Sequence, residues 1–182
     1  MKIRPRLLVT SLTVAVVVSV FVGWLIARSD GDSTTGNPTR STFAPPAIVT
    51  NAPVKGKKLA DATVQDLKGA DVTTASLLGE PLVINIWGST CGPCKKELPD
   101  FAAVQQQFAG KVRFVGIDYL PPSDDEEQFA RSRGVKYDLF YDTNGDFISK
   151  VGIGAFPVTL FITADGTIVQ QTGQLDASKL TA

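Results

Sequence analysis

The chain of 182 residues contains no histidine. Imidazole metal ligation and histidine acid–base catalysis are thereby excluded, and any proton transfer falls to carboxylates, thiols or water. Cysteine is almost as scarce, with only Cys91 and Cys94. A four-ligand zinc site would then need a second chain or carboxylates, so no metal and no cofactor is expected. An excess of positive charge is missing too. Lys+Arg and Asp+Glu number 18 each, and Lys2, Arg4 and Arg6 precede an apolar segment, so the remainder carries 15 basic against 18 acidic residues. Such a mildly acidic part has no electrostatic footprint for nucleic acid. No internal repeat is visible.

One long apolar run is present. Leu7 to Ala27 is a stretch of 21 residues without a charge. As a helix it would span ~31 Å, the thickness of a bilayer's hydrocarbon core. Trp24 near its far end and the cations before it predict a cytoplasmic tail (1–6) and a transmembrane signal-anchor (7–27), with the rest outside. A cleaved signal peptide and a secreted product is the alternative, although signal h-regions run only ~7–15 residues. Residues 28–57, rich in Ser, Thr, Pro, Asn and Gly, bury too little apolar surface to fold and read as a flexible linker. The folded domain is expected over 58–182.

Within that domain strand and helix patterns alternate, which predicts an α/β fold. Ala62–Asp66 and Asp71–Thr74 read as a hairpin. Leu82–Ile86 is a continuous apolar strand of the kind buried on both faces. A helix is expected from Pro93 to about Phe108, kinked at Pro99, and a second buried strand over Lys111–Ile117. Ser123-Asp124-Asp125-Glu126 is a capping box opening a helix to about Arg133. Asp138–Tyr141 and Pro157–Ile162 read as strands, the latter turning at Asp165-Gly166 into Thr167–Gln170. Gly145–Val151 and Asp176–Leu180 read as short helices.

The two cysteines stand between the strand at 82–86 and the helix opening at 93, separated by Gly92 and Pro93. Unpaired N–H groups and the positive dipole end of a helix N-terminus stabilise an anion there, and the thiolate is the reactive form of cysteine. Cys91 is placed to attack and Cys94, one turn inside, to resolve the mixed disulfide; together they would form a redox-active disulfide. Three other readings compete. A structural disulfide closing so short a loop would contribute only about 2 kcal/mol. Half a zinc site lacks its other ligands. Peroxidase chemistry usually goes with Pro-x-x-x-Thr-x-x-Cys, where this chain has Ile84 and Gly88.

The segment Trp87-Gly88-Ser89-Thr90-Cys91-Gly92-Pro93-Cys94-Lys95-Lys96-Glu97-Leu98-Pro99, with Gly154–Ile162 and Asp165-Gly166, resembles the thioredoxin-fold thiol–disulfide oxidoreductases of the TlpA/ResA type. The resemblance covers residues 60 to 175. It implies a central mixed β-sheet flanked by helices, a membrane tether and an extracytoplasmic redox domain. It implies a cis-proline at Pro157, with the backbone of Phe156 pairing with an extended substrate segment. Trp87 matches the family's aromatic, either facing substrate or simply packing in the core. Glu97 matches an acid that tunes thiol ionisation and could take a proton from Cys94; the alternative is a solvated helix charge. Two departures stand out. Asn85 occupies the place of an aspartate in thioredoxins proper, which leaves Glu97 as the one candidate for proton exchange. Thr90 replaces a frequent tryptophan and opens the substrate rim beside Cys91. The implied activity is reduction of protein disulfides, apocytochrome c being the substrate type, with electrons from a transmembrane thiol carrier and the protein a monomer. The alternatives are oxidation of secreted proteins and a docking module with incidental cysteines.

Overall fold

The computed structural model describes residues 50–182. The basic tail, the apolar anchor and most of the linker lie outside the described residues. Among the described residues no helix is long and apolar enough to cross a membrane.

The strand patterns resolve into β1 (Thr63–Gln65), β2 (Asp71–Thr73), β3 (Leu82–Trp87), β4 (Arg113–Asp118), β5 (Asp138–Tyr141), β6 (Val158–Ile162) and β7 (Ile168–Thr172). The helices are α1 (Gly92–Gln107), α2 (Asp124–Arg131), α3 (Asp146–Val151) and α4 (Ala177–Leu180), with a 3₁₀ turn at Thr74–Leu77. One sheet runs in the order β2-β1-β5-β4-β3-β6-β7. Its centre is parallel, β4 pairing with β3 and β5, and its flanks are antiparallel. This is the mixed sheet that the resemblance implies.

Every residue of β3 is buried, because helices cover both faces of the sheet. Leu82, Ile84 and Ile86 point into one layer with Phe147 and Val151 of α3. Val83 and Trp87 point into the other, with Leu98, Phe101 and Ala102 of α1 and Ala130 of α2. A parallel strand pair needs a crossover helix, and α1 and α2 supply the two at the centre of the sheet. Helix α1 continues through the exposed Pro99.

The end of the expected linker belongs to the domain. Val54 is buried, the Ala52 amide donates to the Gly152 carbonyl at 2.8 Å, and the Gly56 amide donates to that of Ile168 at 2.7 Å. The side chain of Asn51 accepts from the amides of Gly154 and Ala155, each at 2.8 Å. The boundary at 57/58 therefore moves upstream to about Asn51. Low apolar content hid this, since one buried valine and a few backbone bonds suffice to seat an extended strap.

Gly116 in β4 lies under three side chains. A Cβ there would meet Leu139 Cδ2 at 2.7 Å, Trp87 Nε1 at 3.0 Å and Tyr137 at 3.2 Å. Overpacking of this kind costs about 1–3 kcal/mol. Gly116→Ala should lower the thermal midpoint by several degrees, as read by circular dichroism; an unchanged midpoint would contradict the packing described.

Candidate active site

Strand β3 ends at Trp87 and α1 begins at Gly92, so the chain turns from sheet to helix within four residues. Cys91 is the helix N-cap in an extended conformation, with Gly92 and Pro93 as the first two helical residues. Proline suits this turn because its missing N–H would have no intrahelical partner there anyway. The next amide, that of Cys94, donates to Cys91 Sγ at 3.2 Å. The two sulfurs are bonded to each other. Cys91 is half-buried at the surface and Cys94 wholly buried. Only the first sulfur can meet a protein substrate, while the helix terminus favours its anion.

Glu97 sits one turn beyond Cys94 on the same face of α1, and it is 1% exposed. Its Oε1 accepts from Asn85 Nδ2 at 2.8 Å and its Oε2 from the Leu175 amide at 3.1 Å. Burial disfavours the charge and outweighs these two bonds, so its pKa rises from 4.5 to about 7. The position is thus a buried carboxyl, not a solvated helix charge. Asn85 Oδ1 and the hydroxyl of Thr159, its cross-strand neighbour, have no protein partner, which suits a bridging water in this polar pocket.

Pro157 follows a cis peptide bond, and the β3–β6 register, which pairs Ile86 with Val158, carries it to the strand end that precedes the cysteines. Phe156 is half-buried, and among the described residues its backbone N–H and C=O have no hydrogen-bond partner. Its ring stacks on Tyr119 with centroids 4.4 Å apart. The Tyr119 hydroxyl in turn bonds Thr90 Oγ1 at 2.7 Å. The rim expected to be open beside Cys91 is therefore occupied by Tyr119, which reaches across from the end of β4. Trp87 does not face substrate. It is wholly buried and stacks on Phe129 at 6.0 Å, so its role is core packing.

Glu97 is not the one buried acid with a raised pKa. Asp118, the last residue of β4 and the register partner of Trp87, is 0% exposed. Burial raises its pKa to about 8, with the Glu126 carboxylate adding to the rise. The capping box is half made. Ser123 Oγ accepts from the Glu126 amide at 3.2 Å, but the Glu126 carboxylate turns to Ser89 instead, accepting from its hydroxyl at 2.5 Å and its amide at 3.3 Å. One signal for Asp118 was available: ends of parallel strands gather the working groups of open α/β sheets. An apolar groove of about 330 Å³ between Pro81, Phe108, Phe161 and Leu180 lies at the opposite end of β3 and takes no part. Among the described residues no group of acids and cysteines could hold a metal ion.

The AhpC/TSA family model matches residues 55–171, most of the chain. The chain belongs to the AhpC/TSA family. It is 28% identical over 117 residues to the thiol-disulfide oxidoreductase ResA of Bacillus thuringiensis, covering 64% of this chain and 68% of that protein. Among solved structures it matches a secreted Mycobacterium tuberculosis disulfide oxidoreductase homologous to E. coli DsbE, with TM-score 0.57 and 26% identity over 65% of this chain and 90% of that one. A DsbF homologue from Corynebacterium diphtheriae, at 20% identity, shares the fold with TM-score 0.58 over 76% and 92% of the two chains. The fold of this AhpC/TSA domain is thioredoxin-like, and its paired cysteines make it a thiol–disulfide oxidoreductase of the ResA/DsbE type.

The raised pKa of Glu97 links stability to pH. The folded state holds a proton that the unfolded state releases near pH 4.5, so this contribution is full below that pH and is lost as pH rises through about 7. Its size is on the order of 3 kcal/mol. Glu97→Gln should flatten the fall in urea-unfolding stability of the oxidised protein between pH 5 and 8. Asn85 can turn its amide over to accept from the new NH2 group, so the variant stays paired. An unaltered slope would show that Glu97 is not a buried titrating group.

Proposed function

We propose that this domain reduces disulfides in protein substrates outside the cytoplasmic membrane, held there by residues 7–27. The observation that carries the reading is the asymmetry of the pair: a half-buried Cys91 at a helix N-cap and a wholly buried Cys94 one turn from a buried carboxyl. The Cys91 thiolate attacks one sulfur of a substrate disulfide, and the other leaves as a thiolate. Glu97, titrating near neutrality, takes the proton of the Cys94 thiol. The Cys94 thiolate then attacks Cys91 Sγ, releasing the second substrate thiolate and closing the enzyme disulfide. Two electrons pass to the substrate, and a transmembrane thiol carrier returns them. The open backbone at Phe156 supports strand-like pairing with the substrate segment, with Pro157, Thr90 and Tyr119 bordering it.

Apocytochrome c, whose haem-attachment cysteines must be reduced, is the substrate class this reading favours, and the relative named ResA accords with a reductive role. The Gly-Pro dipeptide between the cysteines is that of thioredoxin, a reductant near about −270 mV. The domain is read as acting as a monomer.

Cys94→Ser should trap substrates as mixed disulfides on Cys91, detectable as reductant-sensitive adducts in membrane extracts. Cys91→Ser should trap none. Adducts on neither variant would refute the exchange reaction. The reduction potential of the purified protein should fall below about −180 mV; a higher value would make it an oxidant of secreted proteins instead.

A further inference from the structure

The segment that carries Cys91 has a polar anchor that the exchange reaction above does not use. Ser89, two residues before the nucleophile, donates both its amide and its hydroxyl to the Glu126 carboxylate of α2. Asp118, the register partner of Trp87 and a neighbour of the Glu126 charge, accepts through Oδ1 from the Leu120 amide at 2.8 Å. Among the described residues its buried Oδ2 has no hydrogen-bond partner. The Tyr119 amide donates to the Trp87 carbonyl at 3.1 Å, which fixes the end of β4 against the start of the Gly88-Ser89 turn.

Among the described residues no cation pairs with either of these acids. Arg131 of α2 is spent on Glu127, at 3.1 Å, and on the carbonyls of Val135 and Tyr137. Asp142, after β5, caps α3 through the amides of Phe147 and Ile148. Among the described residues the buried Tyr141 hydroxyl of β5 has no hydrogen-bond partner. At the start of α1, Lys95 lies over the Phe129 ring at 5.7 Å, and among the described residues neither it nor Lys96 makes an ion pair with Asp118 or Glu126. Two neighbouring carboxyls without a cation do not both ionise readily.

We propose that Asp118, Glu126 and Ser89 form a proton-holding relay that positions the Cys91 segment, Glu126 being the positioning residue and Asp118 the proton holder. The inference rests on Cys91 being the nucleophile. With Asp118 protonated, the Glu126 side chain holds both donors of Ser89. When Asp118 loses its proton, a second negative charge appears beside the first. The Ser89 anchor loosens, so the helix N-cap stabilises the Cys91 thiolate less and leaves it more nucleophilic. This station serves the attacking sulfur, whereas Glu97 serves the resolving one.

Alkylation of the fully reduced, full-length protein by iodoacetamide between pH 5 and 10 reads Cys91 without any protein substrate. The wild-type rate should rise with Cys91 ionisation and then rise again, by up to about threefold, around pH 8, because a less stabilised thiolate is the stronger nucleophile. Asp118→Asn and Ser89→Ala should each abolish the second rise, and Glu97→Gln should keep it. If Asp118→Asn does not fold, Ser89→Ala, which alters a half-buried side chain, still decides. A wild-type profile with one ionisation, or a second rise that survives Ser89→Ala, overturns the relay and leaves the exchange reaction standing. A Cys91 that ionises no lower than an ordinary thiol overturns both.

Discussion

The hydrogen bond from the Cys94 amide to the Cys91 sulfur ties the chemistry to the fold. A sulfur anion is favoured only where unpaired donors converge, and the first turn of a helix is where a chain has them to spare. To put Cys91 there, β3 must end and α1 begin within a few residues. That requires a strand buried on both faces, so that its end is fixed, and a helix whose first turn tolerates Pro93. The two apolar layers around β3 meet the first requirement. The order Cys91, Gly92, Pro93, Cys94 meets the second. The same turn places the second sulfur inside the protein, which divides the labour between attack and resolution.

Buried acids accompany this arrangement, and they weaken the fold at neutral pH rather than strengthen it. Glu97 and Asp118 both have pKa values pushed up by burial, so each is a site where the folded chain holds a proton that water would take. Natural domains are only marginally stable, so groups of this kind stand out where chemistry needs them. Glu97 has the hydrogen bonds to stay in place in either state, from Asn85 and from the Leu175 amide. Asp118 has one oxygen bonded to the Leu120 amide and, among the described residues, no hydrogen-bond partner for the other.

The surface proposed to meet substrate is built from loops that belong to different parts of the sequence. Phe156 comes from the turn before β6, Tyr119 from the end of β4 and Thr90 from the turn after β3, and the three are linked by a ring stack and a hydroxyl bond. Asn51, from the strap that enters the domain, holds the amides of Gly154 and Ala155. The point where the linker joins the domain is therefore next to the loop read as meeting substrate.

Local features of the chain determined the elements and the reacting pair. Apolar runs, the Ser123 cap, the Asp165-Gly166 turn and the spacing of Cys91 and Cys94 act over a few residues, and each reads directly from order along the chain. Neighbours across strands do not. Whether Glu97 is solvated or buried depends on Asn85 and Leu175, and whether Trp87 faces substrate depends on Phe129. That Glu126 leaves its own cap for Ser89, that Asp118 is buried opposite Trp87, and that Val54 seats a strap were decided by tertiary packing. Burial and electrostatic environment are properties of what surrounds a group in space, and the sequence of a single segment does not contain them.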